Sequence, residues 1–254
     1  MSSEERFGFE WNKYNKIDMS HEAQFLRWVS LLDIDKDFFK DKKVLDAGCG
    51  MGRNAYWALK YGARELVAFD NDERTIKSAR NTLQDFPNAR VEMLDMYKIP
   101  WENEFDIVMC IGVIHHLAYP EEAVKNLIRA AKPGAEVILW LYGKEGNEWF
   151  VPWLDILRIH CTSKIPPRLL YYFTYLFSVP LYVFLKLFSQ KREYFKLIKN
   201  FSFDQIHSSI IFDQLLPKIA RYYTNEEALD LVKNLHDVKI YHTNDISWTV
   251  IGTK

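Results

Sequence analysis

Three glycines, a pair of histidines and a few isolated carboxylates carry the chemistry legible in this chain. The run Asp46-Ala-Gly-Cys-Gly-Met-Gly-Arg53 places Gly48, Gly50 and Gly52 directly after a short apolar stretch. Glycines there let the backbone turn sharply and let a ligand approach without a Cβ clash. A dinucleotide fingerprint, G-x-G-x-x-G, needs glycine where this chain has Arg53, so a nicotinamide cofactor is disfavoured. Asp70 ends the next apolar run, 22 residues after Gly48. A carboxylate at that place can accept two hydrogen bonds from a ribose diol.

Other groups admit two readings each. His115 and His116 suit a proton acceptor for a hydroxyl or amine nucleophile, or they pack and cap. No third ligand stands at useful spacing, so no metal is expected. Glu145, Asn147 and Glu148 follow an apolar run, where a ligand crevice or a solvated loop would lie. His207 and Asp213 interrupt an apolar helical stretch, FSFDQIHSSIIFDQLLP, and either cap helices or bind substrate. Phe9, Trp11 and Tyr14 are candidates for a further wall of the site.

Positioning these groups requires an α/β framework. Apolar runs at 43–47, 65–70, 90–95, 105–112 and 136–143 alternate with helical patterns at 53–60, 72–86 and 120–131. Near-continuous apolar strands separated by helices indicate a parallel sheet covered on both faces. A helix at 224–235, opened by a T-N-E-E cap, and strands at 237–242 and 246–254 complete it. Residues 1–42 read as an N-terminal helical segment and 144–223 as a helical insertion. The domain proper is then 43–143 with 224–254.

In combination, VLDAGCGMG, AFD, MLD, FDIVMCIGVIHHL and KPGAEVIL resemble the class I S-adenosylmethionine-dependent methyltransferases. The resemblance implies a Rossmann-like sheet of seven strands in the order 3-2-1-4-5-7-6, with S-adenosylmethionine as cofactor. It implies that Asp46, Gly48, Cys49 and Gly50 pack at the methionyl end and that Asp70, with Asn71 beside it, holds the ribose. Asp95 would reach the adenine amino group, with Met96 against the ring. Ile111 to His115 would lie near the sulfonium. The expected reaction is methyl transfer to an O or N nucleophile of a small molecule, with His115, His116, Glu145 and His207 as candidate catalytic groups. Alternatives are a membrane-surface enzyme acting on a lipid or lipid-linked sugar, and a cofactor-binding module without catalysis.

Absences narrow the partner. The place after the fourth strand reads IGVIHHL, without the N/D-P-P-Y/F clamp of amino-methylating nucleic-acid enzymes, and no Pro-Cys dipeptide occurs. The formal net charge is -1, whereas duplex binders carry a positive excess, so no nucleic-acid partner is expected. Cys49, Cys110 and Cys161 form no C-x-x-C, and the N-terminal residues lack an apolar leader core, so a cytoplasmic setting is the expectation.

The insertion departs from that average. Residues 151–200 hold eight Lys/Arg, two Asp/Glu and eleven aromatics, near +6, leaving the rest near -7. Leu169 to Leu185 is 17 residues without a charge, flanked by Arg168 and Lys186. A single membrane crossing is excluded topologically, because sheet strands precede and follow the run. It is expected to be a lid over an apolar small-molecule acceptor, with a dimer surface and peripheral membrane contact as alternatives. The state is expected to be monomer or homodimer.

Overall fold

The computed structural model describes residues 6–8, 17, 22, 24–26, 28, 36–188 and 193–254. Five parallel strands form from the predicted apolar runs: β1 (Lys43–Ala47), β2 (Glu65–Asp70), β3 (Ala89–Met93), β4 (Phe105–Ile111) and β5 (Ala131–Tyr142). Two more, β6 (His236–Thr243) and β7 (Ser247–Thr253), make a hairpin that joins β5 antiparallel. The order is β3-β2-β1-β4-β5-β7-β6, as the resemblance implies. The hairpin turn uses Asn244 and Asp245, both at positive φ (55 and 61), which suits the right-handed twist of the paired strands.

Helices α1 (Arg53–Lys60), α2 (Glu73–Leu83), α3 (Pro120–Ala130) and α8 (Asn225–Leu231) cover the sheet. Two apolar layers result. Ala55, Ala58, Ala79 and Leu83 pack with Val44, Leu66 and Ile107 on one face. Ala123, Val124, Leu127 and Ala228 pack with Leu45, Val67 and Val108 on the other. Asp72, at the start of the predicted helix, is the cap of α2, accepting from the amides of Arg74 (2.9 Å) and Thr75 (3.3 Å). Thr224 and Glu227 form the reciprocal cap of α8. Strand β5 starts five residues earlier than predicted, since Ala131 already pairs with Phe105 ahead of a register shift.

The insertion carries α4 (Val151–His160), α5 (Pro167–Phe173), α6 (Tyr175–Leu187), α7 (Glu193–Ile198) and a π-helix, Ile206–Phe212. It leaves and re-enters the sheet at one point. Gly143 pairs with Tyr223, the Tyr223 amide donates to the Tyr142 carbonyl (2.9 Å), and the Lys144 amide donates to the Tyr223 carbonyl (2.8 Å). Arg6 is buried against it, donating to the carbonyls of Thr162, Ser163, Ile165 and Leu216.

Candidate functional site

A cleft opens at the carboxyl ends of β1, β2 and β4, where parallel sheets of this kind bind ligands. Gly48 sits at φ +71, and a Cβ there would lie 2.6 Å from Val113 Cγ2. Only glycine lets the loop after β1 pass under the segment after β4. The amides of Gly48 and Cys49 both donate to the Phe69 carbonyl at 2.9 Å, which ties the loop to the end of β2. Asp70 completes the tie by accepting from the Gly50 amide (3.1 Å) and the Asn71 amide (2.8 Å). Burial pushes its carboxyl up to about 6, against the pull of those amides.

Gly48, Cys49, Gly50, Asp70, Asn71, Asp95, Met96 and Ile111 all line this cleft. Asp95 turns the chain after β3, accepting from the Tyr97 amide at 3.0 Å. Asp46 is different. It is 1% exposed, does not reach the cleft, and accepts from the Ala55 amide (3.1 Å), fixing the start of α1 behind the loop. Burial raises it to about 7. In this geometry the carboxylate holds the loop onto the start of α1.

The cleft adjoins a chamber of about 930 Å³ between the sheet and the insertion. Trp28, Trp140, Phe150, Leu154, Leu157 and Leu181 are among its apolar walls. Arg53, Ile111, Gly112 and Asp213 line both spaces, so they mark the junction. Asp213 follows the π-helix, whose wider turn ends where the Asp213 amide donates to the Ser208 carbonyl. Its carboxylate accepts a 3.0 Å hydrogen bond from Tyr142 Oη, the last residue of β5. Burial raises the Asp213 carboxyl, partly offset by Tyr142 and by Arg53.

The expected catalytic groups separate. His116 lines the cleft at the strand ends, and its Nδ1 donates to the Ile219 carbonyl at 2.8 Å. Burial pushes it down to about 4, so it is neutral at pH 7 and a weak proton acceptor. His115 lines neither space. It is wholly buried, stacked 3.7 Å from the Tyr142 ring, and its ring nitrogens have no hydrogen-bond partner among the described residues. Glu145 is corrected to a structural role: it accepts from the Asn225 amide (2.9 Å) and Trp248 Nε1 (3.3 Å). His207 is corrected likewise. Its Nδ1 meets Ser178 Oγ at 2.8 Å inside the insertion, its ring lies 4.0 Å from that of Tyr175, and it reaches neither space.

Asn147 does line the chamber, with its amide held by the Gly143 (2.7 Å) and Ile246 (2.9 Å) carbonyls. Phe9, Trp11 and Tyr14 lie outside the described residues, but Phe7 lines the cleft at the strand ends. Gly112 falls within the Ile111–His115 segment expected near the sulfonium, whereas Arg53, which ends the glycine motif, was not singled out as a site residue. Asp213 was weighed only as one of several polar groups, because nothing in its local pattern sets it at a junction.

Comparison with known proteins bears on this geometry. Residues 45–139 match the family model described as a methyltransferase domain. A tRNA U34 carboxymethyltransferase of Campylobacter curvus is 30% identical over 139 residues, covering 47% of this chain and 46% of that protein. One of Helicobacter pylori is 28% identical over 145 residues, covering 48% and 55%. The chain thus spans about half the length of the curated relatives it matches. Among solved structures, a Thermotoga maritima S-adenosylmethionine-dependent methyltransferase, described as a possible histamine N-methyltransferase, superposes with a TM-score of 0.58 at 16% identity over 99% of both chains. The magnesium protoporphyrin IX methyltransferase of Synechocystis PCC 6803, with bound SAH, gives 0.52 at 14% identity over 93% of this chain and 82% of that one.

These relatives overturn the expectation that excluded nucleic acid, since their name specifies a tRNA. The charge argument failed because a net charge of -1 averages residues 151–200, near +6, with a remainder near -7. Nucleic acid responds to the local field. Residues 45–139 thus carry a methyltransferase domain, on a sheet with the strand order of the class I methyltransferase fold and with a strand-end acid behind its glycine loop.

Proposed function

We propose that the chain transfers a methyl group from S-adenosylmethionine to an acceptor seated in the chamber under the insertion. The observation that carries this reading is Asp213, a carboxylate on the wall shared by the cofactor cleft and the chamber. The cleft fits the cofactor chemically. Asp70 offers a carboxylate to ribose hydroxyls, Asp95 an acceptor to an amino group, and Met96 and Leu117 apolar surface to a ring. When bound, S-adenosylmethionine supplies an electrophilic methyl group. The protein's part is to hold the acceptor in line, exclude water and take up a proton. Asp213 is placed for the last task, since burial raises its proton affinity and Tyr142 holds its orientation.

The chamber's apolar walls favour an acceptor with an apolar or aromatic body and a hydroxyl or amine nucleophile. A second reading takes its support from the relatives' name: a tRNA nucleoside as acceptor. Incubation with methyl-labelled S-adenosylmethionine and, separately, tRNA, lipid extract and small-metabolite fractions tests both. Label in an organic-soluble product supports the apolar acceptor. Label in tRNA supports the second reading. S-adenosylmethionine binding without transfer to any fraction would refute catalysis.

A further inference from the structure

The insertion inverts the usual arrangement of a surface helix, with an apolar side on the chamber and another apolar side in solvent. Phe150, at the cap of α4, and Leu154 and Leu157 on α4 line the chamber, while Trp153 (74% exposed), Ile156 and Ile159 face out. On α6, Leu181 lines the chamber, while Leu176, Val179, Val183 and Leu187 face out. Leu169 and Tyr172 of α5 are exposed as well. Pro167–Leu187 is apolar and long enough to cross a membrane, yet only 28% of its most apolar window is buried. Because the insertion leaves and re-enters the sheet at Gly143 and Tyr223, this run cannot cross once and continue. An apolar surface of this kind on a water-soluble face needs a partner.

We propose that α4, α5 and α6 seat the domain on an anionic lipid leaflet, and that the chamber receives its acceptor from that leaflet. This rests on the chamber being the acceptor site. Three observations favour a leaflet. Exposed Lys164, Arg168, Lys186 and Lys196 accompany the apolar residues, in a segment near +6. Cations beside aromatic and aliphatic side chains match the layered chemistry of headgroup over acyl chain. Of the eleven exposed large apolar side chains on α4, α5 and α6, seven are aliphatic, and these offer little to stacked bases. A second copy docking by two-fold symmetry would set the basic segments of both copies against each other. The chamber also meets this surface: Trp149 (58% exposed) and Phe177 (38% exposed) line the chamber and are open to solvent, so they stand at its rim.

The test is co-sedimentation of the full chain with phosphatidylcholine vesicles, with and without about 30% phosphatidylglycerol. The chain is expected to bind the anionic vesicles and to be weakened, not released, by salt. The doubles W153S/I156S and V183S/L187S, none of them chamber residues, should each bind at least ~10-fold more weakly. Affinity for S-adenosylmethionine, measured on the same samples by calorimetry, should be unchanged and reports an intact fold. Absent vesicle binding by the native chain, or equal binding by folded double variants, overturns the proposal while leaving methyl transfer standing. So does a vesicle-free dimer that either double turns into monomer, or displacement of vesicles from the unchanged apolar face by tRNA. Loss of S-adenosylmethionine binding by the native chain would instead sink the functional reading beneath it.

Discussion

The Tyr142 hydroxyl donates a 3.0 Å hydrogen bond to the Asp213 carboxylate, joining the last residue of β5 to the residue after the π-helix. The pair bridges the two structural sources of the site, since the sheet builds the cofactor cleft and the insertion builds the chamber. Burial keeps the Tyr142 hydroxyl protonated and therefore a donor. The carboxylate is left with lone pairs at the junction.

Replacing Asp213 by Asn should separate catalysis from stability. If Asp213 takes the acceptor's proton, D213N should lose roughly 10²–10⁴ in kcat. Cofactor affinity should change far less than kcat, since Asp213 is one of many residues that line the cleft. The native rate should rise with pH through a limb above the ordinary carboxylate range, and the variant should lack that limb. The sign for stability is opposite. A folded-state proton affinity above the unfolded one means that ionisation disfavours the fold as pH rises. D213N should therefore melt higher than the native chain at pH 8. A variant with full kcat and the native pH profile would remove Asp213 from proton transfer. Y142F should shift the limb upward with a smaller loss of rate, because it removes one hydrogen bond to the ionised form.

Asp70 makes cofactor affinity depend on pH. Burial raises it to about 6, so its carboxylate forms fully only above that pH. Affinity for S-adenosylmethionine should increase between pH 5 and pH 7 and then level, measured by calorimetry; D70N should flatten the dependence. D70A should weaken binding by about 1.5–3 kcal/mol. Asp46, raised to about 7, and Asp70 both cost the unliganded fold stability as pH rises from about 4, the unfolded value, through those values. Saturating cofactor should oppose that loss. An affinity independent of pH in a folded native protein would exclude an ionising Asp70 from the ribose contact.

Gly48 is the tightest point of the loop. An added Cβ would meet Val113 Cγ2 at 2.6 Å and Cγ1 at 2.8 Å, at φ +71. G48A should destabilise the chain by about 1–3 kcal/mol and lower cofactor affinity, because strain and contact act together. G48A/V113A should recover part of both in denaturant unfolding and calorimetry, relieving the contact and leaving the backbone strain.

The sheet was legible because each strand is a local signal: VLDA, LVAF, DIVMCI and VILWLY are apolar runs ended by turns or helix caps. The placing of Gly48, Gly50 and Asp70 along one cleft was legible for the same reason, since strand-end position fixes where they lie. Asp46 turns its carboxylate to the Ala55 amide of α1, an orientation that the motif alone does not announce. His207 failed because a helical stretch with polar and apolar residues does not say which face meets the ligand. The structure turns it toward Ser178 and Tyr175. Asp213 reaches the junction through the π-helix, an irregularity of backbone pairing that no residue pattern here announces.

Filling the chamber tests which acceptor it serves. Leu154 stands one turn after Phe150 and one before Leu157, so all three share the chamber-facing side of α4. L154W would place a larger ring in free volume, which costs little stability and can add some. The cofactor cleft shares only Arg53, Ile111, Gly112 and Asp213 with the chamber, so affinity for S-adenosylmethionine should be unchanged. For an acceptor with an extended apolar body, KM should rise at least ~10-fold, because bulk now occupies the wall that body contacts. L157A, which widens the same wall, should lower that penalty when combined with L154W. For a tRNA, only the flipped nucleoside would enter at the junction and its affinity would come from phosphate contacts outside, so L154W should leave KM near native. Unchanged KM with every apolar acceptor that the native enzyme methylates would show that the chamber does not seat the acceptor.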